Sequence, residues 1–144
     1  MISFDVNQRT GATISHQRWQ RWLRAIERGA KLKKSTSVSV AVVGDAAMKR
    51  LNKAYRGKNS VTDVLSFGER DGARTPDAET GFLGEIIICY PQAVRQAREL
   101  SHSLDDELAW LVTHGFLHLL GHDHERPQQA RAMKGLEKKI LLKL

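Results

Sequence analysis

Three histidines set the chemistry this chain could do. Four of its six histidines fall between residues 114 and 124. His114 and His118 stand one helical turn apart, and His124 follows after Gly121. On a helix that spacing puts the first two on one face with Cβ atoms roughly 5–6 Å apart, so both imidazoles reach one ion. Gly121 lets the chain leave the helix and turn back, so that His124 offers a third nitrogen from outside it. The surrounding segment is apolar, and two neutral imidazoles facing each other there need partners for their ring nitrogens; a cation satisfies both acceptors at once. The plainer alternative is a hydrogen-bonded core pair with a surface His124. The third histidine and the intervening glycine favour the metal.

Three imidazoles leave a fourth tetrahedral position open, the pattern of a catalytic zinc site rather than a closed structural one. Cys89 is the only cysteine, so neither a thiolate-rich site nor an intrachain disulfide is expected. One Zn²⁺ ion is the first choice, although imidazole also suits nickel, copper or iron. The spacing H-x-x-x-H-x-x-G-x-x-H is that of the metzincin metalloproteases, in which a Glu after the first His is the general base. Here that position is Gly115. The metal scaffold is present and the peptidase base is missing. His122 and Asp123 are expected to orient the site rather than to bind the ion.

The elements that must hold these residues follow from periodicity. Ile2, Phe4 and Val6 alternate with polar residues and predict a strand. Residues 15–28 predict an amphipathic helix, with Trp19, Trp22, Leu23 and Ile26 inward and Arg18, Arg21, Arg24 and Arg28 outward. Gly29 is the expected stop. The arginines form either a solvated face or a ridge facing RNA. Residues 37–43 predict a second strand. Asp45 is expected to cap a second helix that buries Met48, Leu51 and Tyr55. Residues 61–67 read as a third strand, 68–81 as a loop, and 82–90 as an apolar, central fourth strand. Pro91 starts a helix. Ser103 and Asp106 have capping-box spacing ahead of a helix that is apolar nearly all round from residue 108 to 120 and should be buried. Pro127 opens a last helix with Ala130, Met133, Leu136 and Ile140 inward. The expected architecture is a single α+β catalytic domain, residues 1–144. A small mixed β-sheet is packed with helices, and a metzincin-like zinc site lies on a buried central helix.

Charge is unevenly spread. Residues 1–60 carry 13 Lys and Arg against 3 Asp and Glu, while residues 61–144 carry 10 against 13. The net charge of +7 therefore lies in the N-terminal part, which suggests a polyanionic partner. No run is apolar and long enough for a membrane span, and the start does not read as a signal peptide. With a single cysteine, this favours the cytoplasm.

Three segments then carry a resemblance. The run from His114-Gly-Phe-Leu-His118 to His124 resembles the signature of the YbeY family of bacterial rRNA-maturation endoribonucleases. So do Leu51-Asn52-x-x-Tyr55-Arg56-x-Lys58 with the following Thr62-Asp63-Val64-Leu65-Ser66-Phe67, and Gly84-Glu85-Ile86. It spans the chain from about residue 45 to the end. The chain departs from the family's usual residues at His122 (Tyr), Asn59 (Asp), Val61 (Pro) and Glu85 (Asp), none of them in the histidine triad. The resemblance implies a single-strand-specific, zinc-dependent endoribonuclease acting on the 3′ end of 16S rRNA and in ribosome quality control. It implies zinc on His114, His118 and His124, an essential Arg56, and single-stranded rRNA and the small ribosomal subunit as partners, with ribosome-associated proteins as further candidates. Two other readings stand beside it. One is a non-catalytic ribosome-assembly factor with structural zinc. The other is a metal-dependent peptide or amide hydrolase, which the missing base at Gly115 disfavours.

Overall fold

Among the described residues, four strands form one mixed sheet in the order β1-β2-β4-β3. The computed structural model describes residues 1–68 and 81–144. β1 (Ile2–Gln8) turns its alternating apolar residues to the core and pairs in parallel with β2 (Thr36–Val43), Phe4 opposite Val38 and Val6 opposite Val40. β2 pairs in parallel with β4 (Phe82–Cys89), and β4 pairs antiparallel with β3 (Val64–Gly68). β4 is thus central, as its run of Ile86, Ile87 and Ile88 predicts, with all three buried. β3 begins at Val64, three residues later than expected. Asp63 stops it: its Oδ1 accepts the Val64 N–H at 2.8 Å, and its carbonyl accepts the Cys89 N–H. The expected loop over residues 68–81 lies almost wholly outside the described residues.

The element order, β-α-β-α-β-β-α-α-α, is the expected one. α1 (His16–Gly29) is capped by Ser15 and buries Trp19, Trp22, Leu23 and Ile26, its two indoles edge to face at 5.1 Å. α4 (Leu104–Leu119) is the central helix. Ser103 Oγ caps it by accepting the Asp106 N–H at 3.0 Å, and Leu108, Leu111, Val112, Phe116 and Leu117 are fully buried around its circumference. Each such apolar side chain contributes about 1.5–3 kcal/mol through burial. α3 (Tyr90–Glu99) and α5 (Pro127–Leu141) flank it, each with Pro in its first turn.

Three local expectations are corrected. Gly29 does not stop α1. It is the last helical residue, buried where a Cβ would strike the Ile140 side chain of α5, and Lys31 supplies the left-handed turn instead. Asp45 does not cap α2 (Asp45–Arg56); Gly44 holds the cap position with no side-chain bond. The Asp45 carboxylate instead accepts from both terminal nitrogens of Arg95 on α3, at 2.7 and 3.1 Å, and from Cys89 Sγ. Arg95 holds the Asp45 carboxyl below its ordinary range, while burial pushes the Cys89 thiol up to about 11. Tyr55 is not buried. Met48 and Asn52 form the inner stripe of α2, and Tyr55 is 67% exposed on its last turn.

Candidate metal centre

His114 and His118 project, half-buried, from the last two turns of α4. The helix then closes on two bonds: the Gly121 N–H reaches the His118 carbonyl at 2.9 Å and the His122 N–H reaches Leu117 at 3.0 Å. This ending needs a left-handed residue, and Gly121 supplies it at φ 99°. Asp123 then folds its carboxylate onto the His124 N–H at 2.7 Å and the Glu125 N–H at 3.3 Å, which fixes the turn that brings His124 back. Ring centroids lie 4.7 Å (His114–His118), 5.1 Å (His118–His124) and 5.7 Å (His114–His124) apart.

The three side chains could hold a metal ion, since one nitrogen from each lies within 4.8 Å of the other two. Nε2 of His114 and Nε2 of His118 lie 3.2 Å apart. Two nitrogens on one tetrahedral ion, each at about 2.0–2.1 Å, sit about 3.3 Å apart. The lone-pair geometry agrees. His114 Nδ1 donates to Glu137 Oε1 at 3.2 Å, which leaves its Nε2 bare and aimed at His118. Burial, reinforced by His114 and His124, holds the His118 imidazole below its ordinary value, so it too keeps a lone pair near neutral pH. Trp110 lies against the His114 ring, centroids 4.8 Å apart and planes 25° from parallel.

Glu137 is the residue that motif reading does not find. It is 6% exposed on α5, between the buried Met133 and Ile140. An acid on the apolar stripe of that helix is the one sequence signal that marks it. His122 contributes its backbone to the helix end, and Asp123 acts on backbone N–H groups rather than on a ring.

The triad opens on a cleft of about 660 Å³ that is also lined by Tyr55 and Arg56 of α2 and by residues 62–68 along β3. Arg56 is therefore brought to the histidines by tertiary folding. Asp63 stands in the cleft wall with Oδ2 accepting from Gln96 at 3.2 Å; Gln96 also donates to the buried Glu107, which pairs with His102. Behind the triad, His114 and His124 share a second pocket of about 590 Å³ between α4 and α5, lined by Trp110, Met133 and Glu137 among others.

Gly115 has a packing reason. A Cβ there would meet Ile86 Cγ2 at 2.9 Å, Ser66 Oγ at 3.2 Å and Val64 Cγ2 at 3.3 Å. Ser66 Oγ also donates to the Gly115 carbonyl at 3.0 Å, binding α4 to the cleft-wall strand. The side chain a metzincin would use as its base has no room here.

A mixed four-stranded sheet backing a buried helix that presents a histidine cluster to a cleft also lined by Arg56 and Asp63 defines an α+β domain with a candidate metal site. The chain belongs to the YbeY family: the family model described as Endoribonuclease YbeY matches residues 3–144. It is similar to proteins named Endoribonuclease YbeY from Syntrophomonas wolfei (39% identical, covering 83% of this chain and 80% of that one) and Moorella thermoacetica (51%, covering 72% and 70%). A third, from Renibacterium salmoninarum, is 36% identical over 97% of this chain and 91% of its own. The solution structure of the Thermotoga maritima protein TM1509 superposes with a TM-score of 0.65 at 27% identity, covering 99% of this chain and 88% of that one.

Proposed function

We propose that this chain is a metal-dependent endoribonuclease that cleaves single-stranded rRNA. Zinc is held by His114, His118 and His124, and Arg56 binds the phosphate under attack. The observation that carries this reading is the shared cleft: Arg56, from α2, and the triad, from α4 and its turn, line one cavity. Family membership supports the ribonuclease class. Maturation of the 16S 3′ end, quality control on the small subunit, and a cytoplasmic location with the chain acting as one catalytic unit complete the proposal. Among the described residues no helix is long and apolar enough to cross a membrane.

The residues divide the work. Glu137 holds His114 in the tautomer that presents Nε2 to the ion. Burial keeps His118 unprotonated. The Arg56 guanidinium, always charged, binds two phosphate oxygens at once and stabilises the charge that builds on phosphorus substitution. Zinc, when bound, supplies Lewis-acid polarisation of a phosphoryl oxygen and acidifies water toward attack near neutral pH. The peptide-hydrolase alternative loses support, because the packing around Gly115 leaves no room for the base it requires.

The test is metal analysis beside cleavage of a single-stranded rRNA 3′ segment. About one zinc per chain is expected in wild type and in Arg56→Ala, and none in His118→Ala. Arg56→Ala should lose about 100-fold or more in cleavage rate. Full cleavage by metal-free protein overturns the proposal, and RNA binding without turnover by zinc-loaded wild type replaces it with the assembly-factor reading.

A further inference from the structure

Tyr55 is an exposed aromatic residue on a helix whose other large apolar side chains face inward. Helical spacing from Met48 and Asn52 would put it on the buried stripe, yet two-thirds of its surface is accessible. An aromatic ring left in water forgoes burial that would contribute to stability. It is nonetheless braced: its ring rests against Phe67 of the edge strand β3, centroids 4.8 Å apart and planes at 55°. Both rings line the cleft of Arg56 and the triad, and Tyr55 is the sequence neighbour of Arg56. A guanidinium that grips phosphate and an adjacent supported aromatic face make up the two halves of a nucleotide site. One binds the backbone, and the other offers a surface to the base.

We infer that Tyr55, braced by Phe67, is a stacking platform for an unpaired nucleobase next to the phosphate held by Arg56. It therefore contributes to the preference for single strands. A base in a duplex already has its faces covered by its neighbours and cannot lie on the ring without leaving the stack. An unpaired base can, whichever base it is, because every base has a π-face. The inference rests on the ribonuclease reading and adds a substrate-binding residue to it.

The experiment uses zinc-loaded full-length protein and a fluorescently labelled unstructured 12-nucleotide RNA. A matched RNA carries one abasic position 5′ or 3′ of the principal cut, and a third sample is the duplex form. Wild type, Tyr55→Ala, Tyr55→Phe and Tyr55→Trp are compared for cleavage and, by anisotropy, for binding. Zinc content and thermal melts confirm that each variant is loaded and folded. Tyr55→Ala is expected to raise KM and Kd about 5- to 150-fold with kcat changed much less, the range that loss of one base–aromatic stack implies. Tyr55→Phe and Tyr55→Trp should stay near wild type. Wild type should lose a similar factor on one of the abasic RNAs, whereas Tyr55→Ala should not distinguish either from intact RNA. Its single-strand preference over duplex should shrink.

A Tyr55→Ala enzyme within twofold of wild type, or one that still discriminates against the abasic RNA, overturns the platform. So does a Tyr55→Phe variant as impaired as Tyr55→Ala, since that would assign the role to the hydroxyl. If wild type binds RNA but cuts none, the ribonuclease reading fails by itself, and the binding comparison still decides the platform. If wild type neither binds nor cuts, both fall.

Discussion

Glu137 shows how one side chain from a distant helix joins a site whose histidines all lie in one short motif. His114, His118 and His124 are legible in sequence because helical geometry converts spacing directly into proximity, and Gly121 explains the return of the chain. The carboxylate that turns His114 is not legible, since its pairing depends on α5 packing against α4. Replacing Glu137 with Gln keeps the volume and the ability to accept from Nδ1 but removes the negative charge that strengthens the ligand. Zinc affinity should weaken about 10–100-fold, measured by competition with a chromogenic chelator, with the melting curve of the zinc-loaded protein at saturating zinc close to wild type. Unchanged affinity would show that orientation alone matters. Arg56 is a different case. Apart from the family resemblance of the motif around it, nothing separates it from an ordinary surface arginine, and its proximity to the histidines is a product of folding.

At the level of elements, periodicity and capping chemistry carry most of the information. Ser103 caps the helix it was expected to cap, and Ser15 does the same for α1, because a hydroxyl three residues before a free N–H acts locally. The misreadings occur where a tertiary partner outbids the local rule. Arg95 takes the Asp45 carboxylate away from capping, Ile140 needs Gly29 for its lack of a side chain, and Phe67 holds Tyr55 out at the sheet edge. The α4–sheet contact makes the sharpest demand. Because a methyl at position 115 would press on Ile86, Ser66 and Val64 together, Gly115→Ala should destabilise the protein by about 1–3 kcal/mol through overpacking. Urea denaturation with and without zinc checks this. A variant as stable as wild type would mean that the sheet yields easily, and would reopen the question of a side chain there.

For the whole molecule, composition indicates an attraction to polyanions but not where it acts. The arginine face of α1 was one candidate for an RNA ridge. Two of its members are engaged at home: Arg18 and Arg21 both pair with Asp105 at the start of α4, at 2.8 and 2.9 Å. These pairs are a third to a half exposed, so their contribution is small. Arg18→Ala with Arg21→Ala should lower stability by about 1 kcal/mol or less and leave the KM for single-stranded RNA within twofold, read from melts and steady-state cleavage. A large rise in KM would move the RNA path onto α1. The central place of β4 was legible in its apolar run, but its parallel pairing with β2 and the cleft were not, because β2 and β4 meet across α2 and β3 and the cleft joins three separated stretches of chain. The contact between Trp110 and His114 has one last consequence. An indole lying nearly flat on an imidazole proposed as a metal ligand would turn occupancy into an optical signal. Of the three tryptophans, Trp19 and Trp22 are sealed in the core and supply a constant background. Titrating open-shell cobalt or copper into metal-free protein should quench the emission of Trp110 in proportion to filling, closed-shell zinc should shift it with little quenching, and Trp110→Phe should silence both responses. The molecule thus carries its own gauge of loading, readable without label, substrate or turnover.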